Sequence, residues 1–504
     1  MTRAAPQNQI ADIMRAIRAG NIESAVSAGR TLVQSYPDDP NALAILATAQ
    51  SRSGELDAAI AGTTRAVELA GAARTDIRLA LAQLLRSAGR TERAIEEFQS
   101  VAESSDDPEA WYGLALCYEQ SRRFEEARSA AQRVLRTRPD HPLARLTMAR
   151  TLRGLGQVNE ALDELSSMDA RKCPAVIAVH LHTERGHCLD QLKRYDDAFS
   201  EFAKANAAFD AMPETMRISK SVFPSMLDAT STLLNSSDWV SRAVQPDATD
   251  RKPVFVVGFP RSGTTMLEQM LGAHSQTITS DEAPFIRDLV REIAAIDRYP
   301  ESLLSLDVAK CAELQEKYWS LARRRLGADV DTKVLVDKQP LNIAYLACIG
   351  SVFPGAKVIV VLRDPMDAVL SCFMQAFTPN QATVHLSSVS RASALYGRVM
   401  GLWLDTRDRC GVDPLVVRYE DVIGNPREEI SRCLSHIGLS WEESIESFHE
   451  RIGRKFVSTP SYLSVAQPIS RKSVGRWDRY HDRVKGALQT LERFRIEFGY
   501  GRSD

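Results

Sequence analysis

The residues best suited to chemistry lie in one stretch, Pro253–His274, which reads PVFVVGFPRSGTTMLEQMLGAH. Gly258 and Gly263 keep the spacing of a triphosphate-binding GxxxxGK[ST] loop, with Thr264 and Thr265 behind them. A glycine-rich turn lets successive backbone N–H groups point into one concavity. A helix that starts there adds a dipole favouring negative charge, so the stretch predicts an anion cradle. The lysine that reaches the outer phosphates of a triphosphate is replaced by Thr264, which argues against ATP or GTP as donor. Arg261 instead offers a fixed guanidinium fork at the mouth of the loop. The ligand inferred from these residues seats a single 5′ phosphate on the loop, with its reactive group near Arg261. The plain alternative is an ordinary turn between strand and helix.

The elements that must position this loop are legible on both sides of it. Val254–Val257 is a short β-branched and aromatic run, the pattern of a strand buried on both faces. Thr264–Leu271 reads as a helix whose first turn still carries hydroxyls. Beyond it, strand and helix patterns alternate, which predicts a mainly parallel sheet covered on both faces. The expected strands are Gln276–Thr279, Lys333–Asp337, Lys357–Leu362 and the run from Pro414 into Tyr419.

Phe259-Pro-Arg-Ser-Gly-Thr-Thr265 resembles the 5′-phosphosulfate loop of sulfotransferases, which use 3′-phosphoadenosine 5′-phosphosulfate (PAPS) as co-substrate. The form with Arg261 resembles the tyrosylprotein branch more than the small-molecule cytosolic branch. The resemblance runs from about Lys252 to the C-terminus. It implies an α/β, P-loop-like domain in which Arg261, Ser262, Gly263, Thr264 and Thr265 bind the donor. Glu282, in Ser280-Asp281-Glu282 at the end of the second strand, resembles the family's catalytic glutamate, where Gly-Glu-Glu is usual. Strand ends line the ligand crevice of such sheets, and removal of an acceptor proton needs a placed base. Asp281 is the rival, and both acids are also suited to capping a helix at Ala283–Ile293.

Lys338 resembles the family's Lys-Asp-Pro element, with Gln339 in place of the acid, and could stabilise charge on the bridging oxygen as the sulfonate departs. A surface lysine at a strand end is the alternative. Arg363, where a Walker B strand would present an acid, and Ser371 on the next helix resemble the 3′-phosphate site. A 3′ phosphate distinguishes PAPS from ATP. Tyr419 is similar to a family position that touches the nucleotide, core packing being its other reading. The late segment Gln467–Trp477 is expected to close the donor site, with Ser464 or Ser470 and Arg476 matching the family's Ser and Lys/Arg before Trp. Such a lid would exclude water. The positive field comes from Arg261, Lys338 and the loop, so no metal is expected. His385 and Thr378–Ser390 are placed on the acceptor side without an assigned role.

The first half has no such chemistry. Gly20-Asn-Ile-Glu-Ser-Ala25, Gly54-Glu-Leu-Asp-Ala-Ala59 and Gly89-Arg-Thr-Glu-Arg-Ala94 recur as Arg123–Ala127, Gln157–Ala161 and Arg194–Ala198. Their alanines lie 34, 35, 33, 34 and 37 residues apart by subtraction. That is the tetratricopeptide (TPR) period of ~34 residues. Trp111-x-x-Leu114-Ala115-x-x-Tyr118, then Ala127 and Pro139, match its pattern. Pro40, Pro108 and Pro142 sit where helices should begin, with Asp39 and Asp107 available as caps. The expected organisation is an all-α TPR solenoid over 1–210, a helical linker over 211–250 with a turn-rich end at Gln245–Asp250, and the sulfotransferase-like domain over 251–504. The array would bind a protein or peptide partner, bind the acceptor, or join a second copy in a homodimer. His180, His182 and His187 with Cys173 and Cys188 fit no standard zinc spacing and read as a helix face.

Composition sets outer limits. With 504 residues the chain exceeds a single core, which seldom grows past ~250–300 residues. A net charge of −2 supplies no global field to recruit nucleic acid. The N-terminus lacks an apolar signal core, no run of residues would span a membrane, and eight scattered cysteines read as free thiols. These features predict a cytoplasmic protein. Two other functions stay open: a P-loop kinase, and a TPR adaptor with a donor-binding but inactive transferase fold. The acceptor, whether a peptide tyrosine, a glycan, a lipid or a small metabolite, is not readable.

Overall fold

The computed structural model describes residues 4–71, 74–241, 251–448 and 471–501. They fall into two compact units, the first ending at Met168 and the second beginning at Asp169.

The first unit is all helix, with ten α-helices from Gln7–Arg18 to Val158–Ser166 among the described residues. Its repeat period is explained by burial. Ala25, Ala59, Ala94, Ala127 and Ala161 are each fully buried, so a larger side chain at these turns would push paired helices apart. Close approach is also written at Gly113, where a Cβ would lie 2.3 Å from the Phe98 ring. Helices begin at Pro40, Pro108 and Pro142, as expected of a residue with fixed φ and no N–H. Asp39 accepts from the N–H groups of Asn41 and Ala42 at 2.8 and 2.9 Å, and Asp107 from that of Glu109 at 2.7 Å. His141 does the same work for Ala144 at 3.1 Å.

The second unit holds a five-stranded, wholly parallel sheet: β1 (Val254–Gly258), β2 (Thr277–Thr279), β3 (Val334–Lys338), β4 (Lys357–Leu362) and β5 (Asp413–Arg418), in the order β2-β3-β1-β4-β5. β1 is buried along its whole length, as its unbroken apolar pattern predicts. The strand order reverses at β1, with β3 on one side and β4 on the other. Ligands of open α/β sheets bind outside the strand ends at such a switch point.

The last repeat unit, helices Ala175–Gln191 and Tyr195–Asp210, packs differently from what its period suggests. It lies within the second unit, on the sheet side of the Met168/Asp169 division. Asn206 donates to the Phe373 carbonyl at 2.8 Å, and Phe199 stacks on Phe373 with ring centroids 4.6 Å apart. Val179 and Phe209 share a core with Val384. Apolar residues beyond the repeat pattern therefore attach this hairpin to the sheet domain. On the same hairpin, His182 pairs with Glu201 at 2.7 Å and His187 packs on Phe202, so these histidines serve packing. Among the described residues no cluster of His, Cys, Asp or Glu is arranged to hold a metal.

Candidate active site at the end of the parallel sheet

The loop from Gly258 to Gly263 is built by backbone conformations that few residues adopt. Arg261 has φ of 70° and Gly263 of 99°. At Gly263 a Cβ would meet the Tyr419 ring at 2.3 Å, and at Gly258 it would meet the Val361 carbonyl oxygen at 2.5 Å. Both glycines are thus required by close approach. Ser262 Oγ donates back to the Phe259 carbonyl and tightens the turn. The helix Thr264–Leu271 starts immediately after, and its first N–H groups have no intrahelical acceptors, which is what an anion cradle needs.

Arg261 faces a cavity of about 330 Å³ that is also lined by Thr264, Thr265, Glu282, Gln339 and Phe377. Its Nε donates to Ser371 Oγ at 3.1 Å. Arg363, mostly buried at the end of β4, donates to the Arg261 carbonyl at 2.9 Å and to that of Ser473. The guanidinium of Arg363 also lies over the Tyr419 ring, 5.0 Å from its centroid. Burial lowers the pKa of Arg261, and Arg363 and Arg476 add to the effect by repulsion. Arg261 thus feels the positive charge of two further guanidiniums, a field that an anion would relieve. Arg363, Ser371 and Tyr419 all lie against the loop. Arg476 is more distant in role: it is held by Asp190 at 2.8 Å. The segment that carries it is fixed by Asp367, which accepts from the N–H groups of Gly475 and Trp477 at 2.7 and 2.9 Å. Burial raises Asp367 to about 6. Ser464 and Ser470 lie outside the described residues.

The carboxylate side of the site is more elaborate than the sequence indicated. Asp281 and Glu282 both have positive φ, 45° and 59°, a conformation that costs ordinary residues free energy and clusters at functional sites. Neither caps the next helix, which runs Phe285–Ala294 from Pro284 without a side-chain cap. Glu282 instead accepts from Lys338 Nζ at 2.7 Å. Lys338 is fully buried and does not itself line the cavity, so it is no surface lysine. Its ammonium also lies 3.3 Å from Glu268 and 3.9 Å from Asp281. Burial alone would lower the lysine, but Glu268, Glu282 and Asp281 outweigh it, and its pKa is raised.

Glu268 was not singled out from the sequence. It is fully buried on the loop helix, and its Oε1 accepts the Asp281 N–H at 3.0 Å. Burial pushes its carboxyl up to about 7, against the pull of Lys338. Ser280 ties the same corner to β3, donating to Asp337 at 3.0 Å and accepting the Lys338 N–H at 3.1 Å. Asp337 also accepts from Tyr318 at 2.8 Å, and burial raises it to about 6. A single acid, next to Gln269, in the helical run Met266-Leu-Glu-Gln-Met-Leu271 was the available signal.

A parallel sheet with a glycine loop at its switch point, a guanidinium cluster and a carboxylate–lysine pair is an arrangement suited to group transfer from an anionic donor. Comparison with known proteins agrees with that class. Residues 253–443 match the model of the sulfotransferase family, and 79–142 and 120–176 match tetratricopeptide repeat models. The chain thus carries one region similar to the sulfotransferase family and another similar to TPR repeats. An uncharacterised protein of Aquifex aeolicus (strain VF5) is 27% identical over 318 residues, 60% of this chain and 40% of that protein. Protein-tyrosine sulfotransferase 1 of Danio rerio is 24% identical over 243 residues, 45% of this chain and 66% of that one. The chain therefore spans less than two thirds of the length of these relatives. Among solved structures, a tetratricopeptide repeat protein from Parabacteroides merdae is 18% identical, with a TM-score of 0.32 over 40% of this chain and 92% of that one.

Proposed function

We propose that this protein is a PAPS-dependent sulfotransferase that moves a sulfonate to a hydroxyl or amine of its acceptor, such as a peptide tyrosine or a glycan. The observation that carries the proposal is the convergence of Arg261 and Glu282 on one cavity, with Arg363 bonded to the carbonyl of Arg261. The donor supplies an activated sulfonate and leaves as adenosine 3′,5′-bisphosphate. The loop N–H groups, Ser262, Gly263, Thr264 and Thr265 seat its 5′ phosphate. Arg261 balances charge at the sulfonate, and Arg363 with Ser371 takes the 3′ phosphate, Tyr419 packing beside them. Arg476 acts through the field it adds at Arg261. Glu282 removes the acceptor proton. As it becomes neutral, the buried charge of Lys338 is less offset, and its field, from where the lysine is held, favours the departing oxygen. The TPR repeats bind a protein or peptide partner, with residues 1–210 as repeat array, 211–250 as linker and 251–504 as transferase domain.

The test is transfer of radiolabelled sulfonate from PAPS onto a panel of tyrosine peptides, glycans and simple phenols. Wild type should label at least one class, and Glu282→Gln should lose labelling while still binding the bisphosphate. Labelling undiminished in Glu282→Gln would overturn the assignment of the base.

A further inference from the structure

We infer that Glu268 is a positioning residue that keeps Lys338 and the Asp281–Glu282 turn in place while Glu282 gains its proton. The inference rests on the reading of Glu282 as the base. Glu268 stands on the helix that follows the anion loop, so one carboxylate ties the donor cradle to both groups of the acid–base pair. One oxygen, Oε1, accepts the Asp281 N–H at 3.0 Å and so fixes a turn whose two residues both have positive φ. The other, Oε2, faces the Lys338 ammonium at 3.3 Å.

The need for a second carboxylate follows from burial. Lys338 is fully enclosed and its closest ion pair is with Glu282 at 2.7 Å. Protonation of Glu282 removes that negative charge at the moment of transfer. A buried ammonium whose partner becomes neutral is strongly destabilised unless another anion is within contact. Asp281 is 3.9 Å away and partly exposed, whereas Glu268 is closer and fully buried. Above about pH 7, where its carboxyl is ionised, Glu268 is therefore the counter-ion that remains. The charged groups facing it are Lys338 from β3 and Asp281 from the turn after β2.

Two variants separate its two contacts. Glu268→Gln keeps an oxygen for the Asp281 N–H but removes the anion, and Glu268→Ala removes both. The full chain is assayed for adenosine 3′,5′-bisphosphate binding, for release of labelled sulfonate from PAPS to water or to 4-nitrophenol, and for backbone hydrogen exchange over 277–286. Expected for Glu268→Gln are bisphosphate affinity within about twofold of wild type, unchanged donor KM, at least about a tenfold fall in kcat, and normal exchange. Glu268→Ala should add at least about tenfold faster exchange in that segment. Wild-type kcat in Glu268→Gln, or unaltered exchange in Glu268→Ala, overturns the inference. Should wild type bind the bisphosphate yet release no sulfonate, the proposed function fails, and the exchange result alone decides the place of Glu268.

Discussion

Replacement of Lys338 by methionine removes the ammonium and fills a similar volume, so its effect isolates the charge. In the wild type, Glu268 titrates at about 7, with Lys338 pulling it down against burial. Without Lys338 it must titrate higher. The folded-state value lies above the ordinary 4.5 in both proteins, so the carboxyl lowers stability as pH rises from 4.5 toward its folded value. At pH 5.5 it is protonated in both folded forms and adds almost no difference. At pH 8 the wild-type carboxylate is ionised and paired, while the variant must keep its proton one pH unit above the wild-type value. That difference is worth up to about 1.4 kcal/mol. Asp337, also lowered by Lys338, adds in the same direction. Lys338→Met should therefore lose roughly 1–2 kcal/mol more stability at pH 8 than at pH 5.5. Urea unfolding followed by tryptophan emission suits the measurement, since Trp239, Trp319, Trp403, Trp441 and Trp477 lie in the second unit and only Trp111 in the first. Adding Glu268→Gln should remove most of the pH difference. Equal losses at both pH values, or a larger loss at pH 5.5, would refute the pairing argument.

Gly263→Ala places a methyl group 2.3 Å from the Tyr419 ring at a φ of 99°. The left-handed backbone alone costs ~1–2 kcal/mol, so the loop should give way and bisphosphate affinity, read by calorimetry, should fall about tenfold or more. Asn206→Ala removes a buried amide that donates to the Phe202 and Phe373 carbonyls at 2.9 and 2.8 Å. It should destabilise the second unit by roughly 1–3 kcal/mol in the same fluorescence assay. Asp367→Ala deletes the acceptor of the Gly475 and Trp477 N–H groups, and hydrogen exchange over 471–480 should accelerate while the sheet stays protected.

The conformation of the loop was readable because its determinants are local. Gly258, Arg261, Gly263 and the two threonines act through backbone conformation and short spacing, and the strands on either side declare themselves by apolar runs. The repeat period was equally local, with Ala25 to Ala161 all buried as the spacing required. Glu268 was not legible because its meaning depends on Lys338, 70 residues away by subtraction, reaching the same corner across the sheet. Lys338 was placed at the correct strand end, but its complete burial among three carboxylates depends on how the turn at Ser280 folds onto β3. The hairpin 175–210 keeps the repeat pattern in its sequence, with Ala198 buried like its counterparts. Its attachment to Phe373 and Val384 uses residues outside that pattern, so the period alone did not reveal those contacts.

The central claim is that the loop and Arg363 together hold a nucleotide with phosphates at both the 5′ and 3′ positions. Calorimetric titration with adenosine 3′,5′-bisphosphate, 5′-AMP and ATP, for wild type and Arg363→Ala, tests it most directly. The bisphosphate should bind wild type most tightly, and Arg363→Ala should weaken it by roughly 10- to 100-fold, the worth of a charged hydrogen bond, with little change for 5′-AMP. Equal affinity for all three ligands, tighter binding of ATP, or a bisphosphate affinity indifferent to Arg363 would contradict the account.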